Sequence, residues 1–173
     1  MVIASLAGLA VCIALQRLAE LRIAAANREW ILAAGGREYG KGHYPCFFIL
    51  HGIWLVGWVC EGYWRQEWSY LWPIWLTMFT LAQGLRYWCI NSLGLFWNTR
   101  ILVIPGKQPI CQGPYRYLRH PNYLAVAIEL ASVPLFFNAW ITAVTISIIN
   151  ALLLFAIRIP AEEAALIEAK SGR

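Results

Sequence analysis

Charged residues are scarce in this chain. Of its 173 residues, 13% are charged, whereas an ordinary globular domain carries about 25%. Hydrophobic residues make up 60%, which leaves too few polar side chains to cover the surface of a soluble domain. The composition therefore excludes a soluble globular protein and predicts an integral membrane protein with a single domain, residues 1–173.

Three further absences limit the possible functions and the topology. The five cysteines, Cys12, Cys46, Cys60, Cys89 and Cys111, form no C-x-x-C pair and have no histidine at a ligand spacing, which argues against a metal site or a disulfide framework. The formal charge of +5 is not gathered in a basic cluster, which argues against nucleic-acid binding. The N-terminal apolar run has no small-residue cleavage site, so it is expected to remain as a membrane helix.

Long apolar segments predict the membrane helices, because about 20 helical residues are needed to cross a hydrocarbon core of about 30 Å. The first predicted helix covers about 1–24, and its Arg17, Glu20 and Arg22 are expected to reach the interface. Arg17 and Glu20 are three residues apart and can pair. The second and third predicted helices cover 44–62 and 70–87.

Residues 122–157 contain a single charge, Glu129, and are long enough for two crossings. Pro134 and Asn138 mark the expected turn of a helical hairpin, whose return helix should end at Arg158. The sequence thus predicts an all-α, polytopic membrane bundle of about four to five transmembrane helices. Three of them lie in 1–90 and the hairpin in 122–157, while 91–121 and 158–173 lie outside the bilayer.

Basic residues fall almost entirely on one side of this topology. The side that holds 91–121 and the C-terminus carries Arg28, Arg37, Lys41, Arg86, Arg100, Lys107, Arg116, Arg119, Arg158, Lys170 and Arg173. Only Arg65 lies in a loop on the opposite side. By the positive-inside rule, the segment 91–121 and the C-terminus face the cytoplasm.

The densest group of reactive residue types is the stretch from Gly113 to Tyr123, which combines three Tyr, two Arg, one His and two Pro. The hairpin should bring this stretch close to a second charged cluster, Arg158 to Glu163. An arginine and a carboxylate at the edge of a membrane are costly unless they are paired, and together they suit a zwitterionic ligand. Alternatively, Lys107, Arg116, Arg119 and Arg158 simply anchor helix ends among lipid headgroups.

These residues carry a family resemblance. The pattern Gly113-x-Tyr115-x-x-x-Arg119-His120-Pro121-x-Tyr123, followed after the hairpin by Arg158-x-x-x-Glu162-Glu163, resembles the signature of the isoprenylcysteine carboxyl methyltransferase family. The phospholipid N-methyltransferases share a similar pattern. The resemblance is clear over about 91–167 and holds only in outline for the first three helices.

The resemblance implies a membrane enzyme that takes S-adenosylmethionine from the cytosol and a lipid-borne acceptor from the bilayer, without a metal. The residues that match the family's cofactor-binding positions are Lys107, Gln108, Pro109, Ile110, Tyr115, His120, Pro121, Asn122, Tyr123 and Glu162. Arg158 matches an arginine on the acceptor side. A carboxylate acceptor needs no base, whereas a hydroxyl acceptor would use His120 or Glu162 as the base. The catalytic candidates are therefore Arg158, Glu162 and His120.

The sequence leaves the identity of the methyl acceptor open. The methylated group is a carboxyl or a hydroxyl, and the lipophilic part is an isoprenoid or an alkyl chain. The chain lacks the extra N-terminal helices of eukaryotic members, and the side chains of 107–110 differ from theirs, so contacts there are expected through the backbone. It resembles small bacterial relatives, some of which methylate hydroxyls of alkylpyrones or phenolic lipids. A bacterial plasma membrane is the expected location.

Other polar residues have structural interpretations. Glu129 is expected to pair with Arg86 or another residue of the bundle, His51 to be satisfied within the bundle, and His43 to lie near the acceptor entrance. Asn91, Trp97, Asn98 and Thr99 either shape the pocket or support it. Two other functions remain open: a membrane reductase that uses NADPH, and a noncatalytic scaffold whose basic loop binds anionic lipid.

Overall fold

A computed structural model describes residues 1–170. The predicted cytoplasmic position of residues 171–173, which include Arg173, lies outside the described residues. The protein is an all-α membrane bundle with a small two-stranded sheet. In chain order its elements are α1 Val2–Ala33, β1 Arg37–Tyr39, α2 Tyr44–Arg65, α3 Trp72–Leu93, β2 Ile101–Val103, α4 Pro121–Phe136, α5 Trp140–Leu153 and α6 Ile159–Lys170. Short 3₁₀ turns cover Lys41–His43, Gly94–Phe96 and Gly113–Arg116.

Within residues 1–170, three helical stretches are long and apolar enough to cross a bilayer. They are Val2–Ala33, Lys41–Arg65 and Trp140–Ala169, and Pro121–Phe136 is a shorter apolar helix. The predicted third span, 70–87, does form a helix of 22 residues, α3. It is not one of the three apolar stretches, and it carries Gln83 and Arg86, whose side chains bond other helices. Helix α3 therefore contributes polar groups to the interior of the bundle.

The end of the first helix and the position of its charges differ from the prediction. Helix α1 continues to Ala33 rather than ending near Ala24. Glu20 is buried, and Arg17 donates both to Glu20 and to Glu129 of α4 instead of reaching the interface. These charged groups can remain within the bundle because attraction between opposite charges compensates the free-energy cost of their desolvation.

The hairpin of α4 and α5 turns at residues 137–139. Asn138 adopts a left-handed conformation with φ of 57°, and its amide donates to Glu67 at 2.6 Å. The return helix does not end at Arg158 as predicted. A π-helical turn, Leu154–Arg158, joins α5 to α6, and Pro160 lies two residues after it. A π-helical turn and a proline are both common causes of a bend within a continuous helix. The chain therefore stays helical from Trp140 to Lys170.

Aromatic and aliphatic side chains of α1, α2 and α4 form the core. Trp54 and Trp58 of α2 are fully buried, and the ring of Trp58 stacks on Phe137 with centroids 5.5 Å apart. The indole of Trp54 donates to the carbonyl of Leu130 at 3.0 Å, which satisfies its polar atom. This core fixes α2 against the hairpin.

Two short strands pair across more than sixty residues of chain. β1 and β2 are antiparallel, with Arg37 opposite Val103 and Tyr39 opposite Ile101. The C-terminal helix packs against them: Tyr39 Oη donates to Glu168 Oε1 at 3.1 Å, and the Gly106 amide donates to the Ala169 carbonyl at 3.1 Å. The sheet and α6 together cover one end of the bundle.

Candidate active site

The two turns of the motif have clear local causes. Gly113 has a φ of 56°, a left-handed conformation that favours glycine, and it opens the 3₁₀ turn Gly113–Arg116. Pro121 is buried and occupies the first position of α4, where a proline is well tolerated because no intrahelical N–H is needed. The turn at Gly113 and the start of α4 at Pro121 place Tyr115 and His120 in the same cavity lining as Glu162 of α6.

A chain of contacts links the two charged clusters, as the hairpin predicted. Arg158 Nε donates to Tyr123 Oη at 3.0 Å, and Tyr123 Oη donates to Glu162 Oε2 at 2.5 Å. His120 Nδ1 lies 3.7 Å from Glu162 Oε2, and its ring stacks on Tyr123 with centroids 5.3 Å apart. Arg158 also donates from Nη2 to the carbonyl of Thr99 at 2.9 Å.

These residues line a cavity of about 660 Å³, which we call the main cavity. The predicted residues in its lining are Lys107, Gln108, Pro109, Ile110, Tyr115, His120, Asn122, Tyr123, Arg158 and Glu162. Pro121 is not in the lining and is buried at the start of α4. Residues predicted from separate segments therefore share one space of a size that suits a small ligand.

The polar groups of the main cavity fit a zwitterionic, nitrogen-rich ligand. Asn122 Oδ1 is buried without a hydrogen-bond partner, so it is ready to accept from a bound molecule. The carboxylate of Glu162 accepts from Tyr123 and can accept further donors.

Tyr115 remains a hydrogen-bond donor in this environment. Burial, reinforced by the neighbouring Cys89 thiol and Glu162, raises the pKa of its hydroxyl far above the ordinary value of 10. The group therefore stays neutral at physiological pH and does not act as a base. Its role in the main cavity is limited to packing and hydrogen bonding.

Several expected residues lie elsewhere or act structurally. The ammonium of Lys107 lies 4.4 Å from the centroid of the Phe96 ring, so its charge is engaged by an aromatic face. Glu129 contacts Arg86, as predicted, and His51 Nδ1 lies 2.8 Å from the Phe47 carbonyl. His43 does not line the main cavity and packs its ring on Phe47, with centroids 6.3 Å apart.

Part of the lining was missed from the sequence. Strand β2 and the following Ile104 form one wall, and Leu166 and Ile167 of α6 form another. The run Ile-Leu-Val-Ile before Pro105-Gly106 is a strand signal that could have been recognised. Nothing in the local sequence identifies Arg37–Tyr39 as its partner. Residues 1–170 hold no group of three His, Cys, Asp or Glu that could bind a metal ion.

Comparison with known proteins gives two curated relatives. The uncharacterized protein YpbQ of Bacillus subtilis is 37% identical over 154 residues, which cover 88% of this chain and 91% of the relative. An uncharacterized protein of Haemophilus influenzae is 29% identical over 158 residues, which cover 90% of this chain and 91% of that protein. Neither name states a substrate, and neither supports a likeness to alkylpyrone or phenolic-lipid enzymes in particular. No solved structure matches the chain.

The family profile that matches is described as the isoprenylcysteine carboxyl methyltransferase (ICMT) family, and it covers residues 75–168. The matched region begins in α3 and ends in α6, so it contains both halves of the main cavity: the Gly113 to Tyr123 stretch and the Arg158 to Glu163 cluster. The chain therefore belongs to the isoprenylcysteine carboxyl methyltransferase family.

Proposed function

We propose that the protein transfers a methyl group from S-adenosylmethionine to an oxygen of a lipophilic acceptor in the membrane. One observation carries the proposal: residues 107–110, Tyr115, His120, Asn122, Tyr123 and Glu162, far apart in the chain, line one cavity of about 660 Å³ beside Arg158. Membership of a methyltransferase family and helices suited to a bilayer support it.

The residues that would hold the methyl donor, S-adenosylmethionine, are those whose side-chain oxygens are charged or lack a hydrogen-bond partner. Glu162 and Asn122 would accept from its amino groups, and the carboxylate of Glu162 suits its cationic centre. Residues 107–110 would contribute mainly backbone groups. S-adenosylmethionine supplies an already activated methyl group on a sulfonium, so positioning and exclusion of water are the main tasks of the protein.

Arg158 is the residue we assign to the acceptor. Its guanidinium is buried, and two of its five N–H groups bond Tyr123 and the Thr99 carbonyl, which leaves others to donate to an acceptor oxygen. A carboxylate acceptor would be ready to react once oriented. For a hydroxyl acceptor, His120 would take the proton, because its ring is held beside Glu162 and faces the main cavity.

The distribution of charge supports a proposal for the location. Lys107, Arg116, Arg119 and Arg158 lie at the same end of the bundle as the main cavity, and we propose that this end faces the cytoplasm of a bacterial plasma membrane. A soluble cosubstrate would enter there, and the acceptor would come from the bilayer.

Calorimetric titration of the purified protein tests the cofactor. We expect S-adenosylmethionine and S-adenosylhomocysteine to bind and NADPH not to bind. Glu162→Gln removes the carboxylate charge and a charge-assisted hydrogen bond, worth about 1.5–3 kcal/mol, so affinity for both ligands should fall about ten- to a hundredfold. His120→Ala should weaken binding less, because its ring only flanks Glu162.

Glu67→Gln is the matched control, because Glu67 is an exposed carboxylate that bonds Asn138 at the hairpin turn. It should leave affinity unchanged. Full affinity in folded Glu162→Gln would reject the cofactor site. Binding of NADPH alone would indicate a reductase, and absence of binding by all three ligands would favour a lipid-binding scaffold.

A further inference from the structure

A second, smaller cavity of about 340 Å³ lies between α1, the start of α2 and residues 98–100. Its α1 wall begins with Leu21, Ala24 and Ala25 and ends with Arg28 and Glu29. The wall thus changes from apolar to charged along one helix, as a helix does where it leaves a bilayer. Ala25 and Glu29 are exposed, so the smaller cavity opens at the exposed surface of α1.

The smaller cavity is separated from the main cavity by a single stretch of chain. Asn98, Thr99 and Arg100 line both cavities. The hydroxyl of Thr99 lies 3.3 Å from Tyr44 Oη, a residue of the smaller cavity, and the carbonyl of the same Thr99 accepts from Arg158 of the main cavity. The partition is therefore one residue thick and touches the proposed acceptor-binding arginine.

The charges around the smaller cavity are balanced. Arg28 donates from Nε and Nη2 to Glu38 Oε2 at 3.0 and 2.9 Å, and Arg100 donates from Nη1 to Glu38 Oε1 at 2.6 Å. The lining itself holds Arg28, Arg100 and Glu29, and Glu38 pairs with both arginines from outside the lining, so two guanidinium groups are balanced by two carboxylates. Such a site has no excess positive charge to attract a phosphate, but it offers donors and acceptors to an uncharged or zwitterionic group.

We propose that the smaller cavity binds the polar head of a single-chain, uncharged or zwitterionic amphiphile, and that this amphiphile is the methyl acceptor waiting on the membrane side of Thr99. A volume of about 340 Å³ is at the low end for ligand sites and suits one compact head, not a diacyl phospholipid. The chain of the amphiphile lies along Leu21 and Ala25. This inference rests on the proposed function.

Photolabelling tests the proposal without knowledge of the natural acceptor. The probe is a monoacylglycerol that carries a diazirine beside its ester, added to the full-length protein in detergent, and labelled peptides are mapped by mass spectrometry. We expect labels on residues 21–29 and on Tyr44 or Thr99. Phosphatidylglycerol with the same diazirine should label these positions about tenfold less.

Adjacent alanines on α1 provide a matched pair of variants. Ala25 lines the smaller cavity, whereas Ala26 is equally exposed and lies outside it. Ala25→Trp should fill the space and lower labelling of Tyr44 and Thr99 about tenfold, and Ala26→Trp should not. Leu21→Trp fills the same space from another position and replaces Ala25→Trp if that variant does not fold.

The outcomes separate this inference from the proposed function. Ala25→Trp should leave the affinity for S-adenosylhomocysteine unchanged. If the unmodified protein does not bind S-adenosylhomocysteine, the cofactor site is rejected instead. The proposed head-group site is wrong if the neutral probe labels only other surfaces. It is also wrong if Ala25→Trp and Ala26→Trp lower the labelling of Tyr44 and Thr99 equally. Preferential labelling by phosphatidylglycerol would mean that the smaller cavity binds an anionic membrane lipid and not the acceptor.

Discussion

Tyr123 uses one hydroxyl to connect two groups of opposite charge. It accepts from Arg158 and donates to Glu162, so the hydroxyl positions both groups. A direct ion pair would neutralise both groups, whereas a shared neutral partner leaves the carboxylate able to face a cation and the guanidinium able to face an acceptor oxygen. The motif predicted the residue types at this site, and the structure adds how they are joined.

Glu38 could not have been identified as important from its own surroundings in the sequence. Its side chain is 3% exposed and is held between Arg28 of α1 and Arg100 before β2. Burial raises the pKa of this carboxyl, but hydrogen bonds and the charges of Arg100 and Arg28 outweigh burial and place the pKa below its ordinary value of 4.5. Its partners are 10 and 62 residues away in the chain.

Acid should therefore weaken the fold through Glu38. Because the pKa of its carboxyl is lower in the folded than in the unfolded chain, the stabilisation is complete above about pH 4.5 and is lost as the pH falls through the folded-state pKa. Glu38→Gln should lower the free energy of unfolding at pH 7 by about 2 kcal/mol and reduce the loss of stability in acid. Thermal unfolding in detergent between pH 3 and pH 7 measures both effects.

The control for Glu38→Gln is Glu29→Gln, which changes an exposed carboxylate on the same side of the bundle. It should leave the midpoint of unfolding nearly unchanged at pH 7. Equal acid sensitivity in Glu38→Gln and the unmodified protein would show that Glu38 does not carry this stabilisation.

At the scale of elements, the turn at Gly113 sets the position of Tyr115. A Cβ added at Gly113 would lie 2.0 Å from Ser92 Oγ and 3.0 Å from Trp88 Nε1, both on α3, and the φ of 56° would be strained for any L side chain. The 3₁₀ turn therefore packs directly on α3. Glycine is required by both the backbone conformation and the close approach.

Gly113→Ala should lower stability by about 1–3 kcal/mol and weaken binding of S-adenosylhomocysteine, because the turn must move away from α3 and carry Tyr115 with it. Gly35→Ala is the matched control, because its φ is 83°, nothing lies within 4 Å of the added Cβ, and Gly35 does not line the main cavity. It should cost stability through the backbone alone and leave binding unchanged. Equal binding by both variants would reject a role of the turn in the site.

The elements differ in how far the sequence predicts them. Length and hydropathy predicted α1, α2 and the α4–α5 hairpin, because each long apolar run must be helical in a bilayer. The boundaries of α1 and the π-helical turn before Pro160 depend on which polar groups find partners in the bundle. Strands β1 and β2 depend on a pairing between distant segments, which a local pattern of three residues cannot specify.

Across the whole molecule, three buried charges and one partly buried charge, Arg17, join three helices. Arg17 and Glu20 of α1, Arg86 of α3 and Glu129 of α4 form a continuous network, and Gln16 donates to Gln83 at 2.7 Å next to it. The side chains of Arg86 and Glu129 are 3% and 1% exposed. Opposite charges balance, and removal of one member leaves an uncompensated charge within the bundle.

Charge balance predicts how the bundle responds to substitution. Glu129→Gln leaves Arg17 and Arg86 with one carboxylate between them and should lower the free energy of unfolding by about 3–5 kcal/mol. Adding Arg86→Met to Glu129→Leu removes one charge of each sign and keeps the pair of Arg17 and Glu20. The double variant should therefore be more stable than Arg86→Met alone or Glu129→Leu alone, as judged by thermal unfolding in detergent.

The double variant also separates stability from function. The network lies within α1, α3 and α4, whereas the lining of the main cavity falls within residues 93–123 and 158–167 and includes no member of the network. Affinity for S-adenosylhomocysteine should therefore survive in the double variant once it is folded. A double variant less stable than Glu129→Gln would mean that directional hydrogen bonds, not charge balance, hold the three helices together. Lost affinity in a stable double variant would show that the network also positions the main cavity, through the close packing of α3 against α4 and the turn at Gly113.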